Sequence, residues 1–167
     1  TIKRSFVRKN SALSGLSEQF LQTMFKFRPV RIGEPLRLRG AEFRFFYSLH
    51  SIPCIGFSIA YNGRSMVFSA DHFNVPDKLL AMQEAGVLSA GRCHELVNFP
   101  WHHDVILHEA GVPPIHTPVT VLEALPEDVR KRLYVVHTTQ SRLPATLQGA
   151  REGVHNTIVS WAWRAHR

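Results

Sequence analysis

The sequence predicts an α/β protein, a mixed sheet flanked by helices, and three observations carry that prediction. Residues 43–49 (FRFFYSL) alternate apolar and other side chains with period two, which marks a strand with one well-buried face. Asn62-Gly63 follows an apolar run and precedes another, the strongest short-range signal for a β-hairpin. Beyond residue 76, segments of helical pattern alternate with short apolar runs, the arrangement of strands joined by helical crossovers.

Taken in order, Ser17 is placed to cap a helix over 17–27, with Leu16, Phe20, Leu21, Met24 and Phe25 at helical spacing. Pro29 closes it, because proline disfavours helical geometry in the residue before it. Residues 31–40 read as a loop with a short RLRG strand. Strands follow over 43–49 and 55–61, and SMVFSA (65–70) returns from the hairpin. Helices are expected over 76–84 and 89–97. DVIL (104–107) is a short apolar run of the buried-strand type. Residues 118–125 fit a helix with Thr117 as cap and Pro118 at its first position, and 126–132 is another helical piece. RLYVV (132–136) is a strand that delivers His137 at its end, and TIVSW (157–161) reads as a last strand.

The chain has 167 residues, 44% of them hydrophobic, which suffices for one domain with a core. No apolar run approaches the roughly 18–20 residues of a membrane helix, and TIKRSFVRKN has no hydrophobic stretch to act as a signal peptide. The expectation is a cytoplasmic protein that does not enter the membrane. Cys54 and Cys93 are read as small buried residues, since neither stands in a CxxC pair. The net charge is +7. Residues 1–44 carry ten of the twenty basic residues against Glu18, Glu34 and Glu42, so the whole excess lies in the first quarter. Such a segment attracts phosphate groups, or an acidic surface elsewhere in the protein.

Ten histidines are well above ordinary usage. The adjacent His102-His103 pair reads as surface or core. His50, Asp71, His108 and His137 each fall at or just beyond the C-terminal end of an expected strand, where side chains escape the core on a rigid backbone. Two imidazoles and a carboxylate form a donor set that zinc, iron or manganese accept.

Five motifs then appear in order. His50-Ser51-Ile52-Pro53-Cys54-Ile55-Gly56-Phe57 resembles the H-x-I-P-S/C-x-G-F/Y motif of transfer-RNA 3′-end-processing endonucleases and their metallo-β-lactamase relatives. MVFSADH (66–72) is similar to that superfamily's strand ending in S/T-G-D-T, VILHEA (105–110) to L-I-H-E-A-T, and IHTP (115–118) to G-H-S-T-P. LYVVHT (133–138) resembles the closing strand that ends in the last metal-ligand histidine. The run HEAGVPPIHTP is most like a subgroup whose members often carry a cyclic-nucleotide-binding domain elsewhere in the chain.

The resemblance implies half of a metallo-β-lactamase αββα sandwich, with residues 1–40 a basic helical and loop segment and 41–167 the C-terminal part of the domain. It implies a metal site of His50, Asp71 and His137, with Asp71 bridging two divalent ions, zinc first and manganese or iron as alternatives. The ions lower the pKa of a shared water. His116 would donate a proton to the leaving group or hold the scissile phosphate, and His108 and Glu109 would support the ligands from behind. The implied activity is hydrolysis of a phosphodiester, in RNA or a nucleotide.

The chain departs from the pattern in two ways. The motif H-x-H-x-D-H, which supplies most of the metal shell, does not occur in it, so the chain reads as a C-terminal fragment that is inactive alone. Its partner is then the missing N-terminal half, with a homodimer also open. Ala70 also stands where the pattern has glycine, adding a Cβ where the backbone needs freedom, and His72 replaces threonine, as a rival ligand or hydrogen-bonding group. Two competing readings stand beside the hydrolase: a non-catalytic half-domain, and a basic module that binds nucleic acid or protein through residues 1–44.

Overall fold

The computed structural model describes residues 29–150. The chain divides into two compact units, Thr1–Arg31 and Ile32–Arg167, and every element below belongs to the second. The helix expected over 17–27 and the strand expected over 157–161 lie outside the described residues.

Seven strands form one sheet in sequential order. They are β1 (Pro35–Leu38), β2 (Ala41–Ser48), β3 (Cys54–Tyr61), β4 (Arg64–Phe68), β5 (Val105–Glu109), β6 (Leu133–Val136) and β7 (Gln148–Gly149). β1 to β4 make an antiparallel meander, and β4, β5, β6 and β7 run parallel. The sheet is thus mixed and the class α/β, as expected. Asn62 and Gly63 both take positive φ, 48° and 70°, which a tight hairpin between β3 and β4 demands. The edge strand β1 starts two residues earlier than RLRG suggests; Arg39 and Gly40 turn instead, both at positive φ. β7, only two residues long, carries no pattern that sequence reading detects.

Four helices occupy the crossovers: α1 (Pro76–Glu84), α2 (Ala90–Val97), α3 (Val119–Glu123) and α4 (Glu127–Arg130). Ser89 caps α2 by accepting the Arg92 N–H. Thr117 does not cap α3, and Pro118 holds the cap position itself. The Thr117 hydroxyl is taken elsewhere: it donates to the His72 carbonyl at 2.6 Å and accepts the Asn74 N–H at 2.9 Å.

Alternation along the strands decides where the core lies. Val67, Ile106, Leu133 and Val135 pack one face against Leu122, Val129, Phe99 and Leu147. Leu79, Cys93 and Leu96 close a second cluster between α1 and α2. The other face carries Phe43, Phe45, Phe57, Ile59, Met66, Phe68, Leu107, Tyr134 and Val136, every one only half-buried. Phe45, Phe57 and Phe68 run across three strands with ring centroids 6.3 and 5.5 Å apart.

Candidate metal centre

The topology gathers the predicted residues at one edge. β4, β5 and β6 are parallel, and β2 is antiparallel to β3, which is antiparallel to β4. β2, β4, β5 and β6 therefore all end on the same side. His50 lies two residues beyond β2, Asp71 three beyond β4, Glu109 closes β5, and His137 follows β6 directly. β3 runs the opposite way, so its first residue, Cys54, begins at that same edge, paired with Ser48.

The site backbone is tied down strand by strand. The Ser69 hydroxyl accepts the Glu109 N–H at 3.0 Å and donates to the Ala70 carbonyl. Ser48 Oγ donates to the Ser69 carbonyl. The loop carrying His50 is joined to the Asp71 segment twice, by Leu49 N–H to His72 Nδ1 at 3.0 Å and by Phe73 N–H to the Leu49 carbonyl at 2.7 Å. Ala70 and His137 adopt left-handed φ of 53° and 64°. Such strain costs about 1–3 kcal/mol per residue and persists only where surroundings impose it. The concern over Ala70 is met by the structure: a Cβ does sit where glycine would be free.

His137 Nδ1 lies 3.2 Å from Asp71 Oδ1 and 3.8 Å from Glu109 Oε2. His116 Nδ1 lies 3.0 Å from Glu109 Oε2, and its ring stands between those of His50 and His137, at 5.0 and 4.8 Å. Glu109 is 1% exposed and fully engaged, its Oε1 accepting the Thr117 and His72 N–H groups at 2.9 and 3.2 Å. Burial pushes its carboxyl above the usual range, opposed by those N–H groups and by His116. A carboxylate on His116 Nδ1 fixes the ring and leaves Nε2 for a ligand or a substrate.

Two donor groups emerge: Asp71, His116 and His137, and His50, Cys54 and Asp71, each with ligand atoms within 4.8 Å of one another. They share Asp71, whose two oxygens suit a bridge. His50 Nε2 is buried and takes no partner among the described residues. An imidazole with one nitrogen unpartnered, beside a carboxylate, is a donor set that divalent metals accept, so these residues fit the implied ions.

The structure thus joins His50, Asp71, His116, Glu109 and His137 and leaves His108 out. His108 precedes Glu109 in β5, and alternation turns it to the helix-covered face, 0% exposed, against Phe99, Trp101 and His72. Its Nδ1 meets the Glu109 carbonyl at 2.7 Å, and burial pulls its pKa down to about 4. His72 is no rival ligand either; burial, helped by His108 and Arg92, lowers it to about 3, and its Nδ1 accepts a backbone N–H. His103 is buried and His102 exposed, both apart from the cluster.

Sequence reading missed two residues. Cys54, read as filler, faces His50 Nδ1 at 3.8 Å. Burial and then the Asp71 charge raise its thiol pKa, against the Asp71 N–H. Its place four residues after His50 was the available signal. Gly111 is the other: a Cβ there would lie 2.8 Å from His116 Cβ, and the Gly111 N–H bonds the Thr117 carbonyl at 3.0 Å.

Strand-end imidazoles and carboxylates on a mixed sheet define the class, an α/β protein with a candidate divalent-metal centre. The family model described as Anti-Pycsar protein Apyc1 matches residues 5–159, and the chain belongs to that family. It is 50% identical over 160 residues to the cGMP-dependent 3′,5′-cGMP phosphodiesterase A of Dictyostelium discoideum, covering 95% of this chain and 18% of that protein. To the cAMP/cGMP-dependent 3′,5′-cAMP/cGMP phosphodiesterase B of the same organism it is 40% identical, over 95% of this chain and 15% of that protein. The chain therefore spans less than a fifth of the length of the curated relatives it matches. Among solved structures, the metallo-beta-lactamase fold protein YhfI from Bacillus subtilis aligns at a TM-score of 0.43 and 18% identity, over 72% of this chain and 48% of that one. No helix among the described residues is long and apolar enough to cross a membrane.

Proposed function

We propose that this chain is the C-terminal part of a metallo-β-lactamase-type phosphodiesterase domain whose substrate is a 3′,5′-cyclic nucleotide. The observation that carries the proposal is Asp71, shared by two groups of metal donors at one sheet edge. The relatives' names supply the substrate class, narrowing the phosphodiester read from the motifs.

His50 and His137 would each hold one ion and Asp71 would serve both, the H-x-H-x-D-H ligands coming from sequence outside these 167 residues. Zinc is the ion proposed, with manganese and iron as alternatives. Bound divalent ions lower the pKa of water and polarise the phosphoryl group. His116, held by Glu109 through Nδ1, presents Nε2 to the leaving oxygen and gives it a proton. The proposal keeps a basic segment, 1–40, whose residues 35–38 join the sheet as its edge strand, and reads 41–167 as a partial domain with a half-buried apolar sheet face. A face of this extent is a contact surface, and the other half of the sandwich is the occupant proposed, with a homodimer as the alternative. Cytoplasmic residence belongs to the same reading.

Half a ligand set supports a second statement, that the chain alone does not hydrolyse the substrate. Purified 1–167 and a polypeptide extended through its own reading frame are each given zinc or manganese and 3′,5′-cGMP. The extended form cleaves, and the chain alone does not. An extended reading frame without H-x-H-x-D-H sinks the hydrolase reading. RNA binding through residues 1–44 is measured in parallel; salt-sensitive binding that survives His137→Ala, with no metal bound by either form, favours the basic module instead.

A further inference from the structure

The donor group on the His50 side contains a sulfur that the resemblance does not assign. We propose that Cys54 is a metal ligand, binding as thiolate the ion held by His50 and Asp71 and making that side of the centre selective for thiophilic ions. The inference deepens the metal-centre reading and rests on it.

Three observations carry it. The first is distance. Bonds of about 2.3 Å to sulfur and about 2.05 Å to nitrogen set two ligands of one tetrahedral ion about 3.6 Å apart. Cys54 Sγ and His50 Nδ1 are 3.8 Å apart. For nitrogen and oxygen donors the same geometry gives about 3.4 Å, and His137 Nδ1 to Asp71 Oδ1 is 3.2 Å on the other side. Each pair is thus spaced as two ligands of one ion, and Asp71 has a ligand atom within 4.8 Å of those of His50 and Cys54.

The second is availability. His50 Nδ1, the ring nitrogen that faces Cys54, accepts only a long bond from the Ile52 N–H, 3.4 Å, and Nε2 has no partner among the described residues. No strong hydrogen bond commits that ring. Cys93 makes the contrast: its thiol is 1% exposed and donates to the Leu79 carbonyl, a structural role within the α1–α2 cluster.

The third is placement. Cys54 opens β3 and is held by pairing with Ser48, while Ser48 Oγ anchors the segment that leads into Asp71. The sulfur is therefore fixed by the same strand ends that fix the other donors, rather than hanging on a loop. On binding, the thiol gives its proton to solvent and the sulfur keeps the electron pair that forms the metal bond. Soft thiolate beside imidazole and carboxylate favours zinc over magnesium or manganese on that side.

The test loads cobalt(II) into the polypeptide extended through its own reading frame, where the remaining ligands are present, and reads absorption. The wild-type chain shows a near-ultraviolet thiolate-to-cobalt charge-transfer band. Cys54→Ser and Cys54→Ala lose it and keep the d–d bands, while Cys93→Ser retains both. Circular dichroism confirms that each variant is folded. Zinc also slows disulfide-reagent modification of Cys54 by about tenfold or more, because only the free thiolate reacts. Cobalt held with d–d bands but no charge-transfer band removes Cys54 from the centre and leaves the metal reading standing. A band that persists in both Cys54 variants overturns the assignment. Failure of the extended polypeptide to retain any cobalt overturns it together with the metal reading.

Discussion

Gly111→Ala isolates the positioning of His116 without touching a polar group. The new Cβ would stand 2.8 Å from His116 Cβ and 2.9 Å from Cγ, where ordinary contact begins at 3.4 Å. Relief requires a retreat of about 0.6 Å, and overpacking of this kind costs about 1–3 kcal/mol. A movement of that size stretches the 3.0 Å His116–Glu109 bond to at most about 3.6 Å, beyond hydrogen-bonding range. A bond to a charged group contributes about 1.5–3 kcal/mol, so the two effects together reach about 2.5 kcal/mol or more. For a chain of this size the melting temperature falls by about 5–10 °C. Thermal denaturation measures the drop, and hydrolysis by the extended polypeptide falls more than about tenfold as His116 loses its orientation. Gly91→Ala, in α2 with nothing within 4 Å of the added Cβ, is the control: it keeps the rate and does not lower the melting temperature, raising it slightly as Gly→Ala in a helix does. If Gly111→Ala melts with the wild type and keeps its rate, the assignment of His116 to a site oriented by Glu109 is wrong.

Three further outcomes follow from the same geometry. His137→Ala weakens metal binding by about a hundredfold, as ligand losses do, yet leaves the melting temperature almost unchanged because its side chain is half exposed; metal titration and calorimetry check the two halves. Stability falls as pH drops from about 6.5 to about 4: His108 has its folded pKa lowered to about 4 against about 6.5 unfolded, so the unfolded chain binds the proton first. That contribution, about 3 kcal/mol, is complete above the unfolded value and lost by the folded one. Urea denaturation across that window shows the slope, and His108→Leu reduces it, leaving the share due to His72. Gly56→Ala abolishes cooperative unfolding, because a Cβ would meet the Phe46 ring and lie 2.8 Å from the Phe68 carbonyl; loss of a cooperative melt checks it.

Much of the framework was legible because periodicity reports burial directly. The half-buried alternation of 43–49, the Asn62-Gly63 turn and the helices at 76–84 and 89–97 all fall where the pattern put them, within a residue or two. What stayed hidden depends on partners distant in sequence. Thr117 has the composition of a cap, but its hydroxyl is claimed by His72 and Asn74, more than forty residues away. His108 and Glu109 look equivalent as neighbours in one motif. Only the parity of β5 separates them, sending the carboxylate to the cluster and the imidazole into the core.

The same parity argument explains why the centre is where it is. A parallel run from β4 to β7 already delivers β4, β5 and β6 to one edge, which accounts for Asp71, Glu109 and His137. His50 joins them only because two antiparallel pairings separate β2 from β4, and an even number of reversals restores direction. An odd number leaves β3 pointing away, so its first residue rather than its last reaches the site. Cys54 therefore enters the cluster as a consequence of strand order, four residues after His50, across the short connection that reverses the chain between β2 and β3. A one-residue slip of β3 against β2 would turn Cys54 to the opposite face and bring Gly56 out of contact with Phe46. The Gly56–Phe46 fit and the Cys54–His50 approach thus depend on a single register.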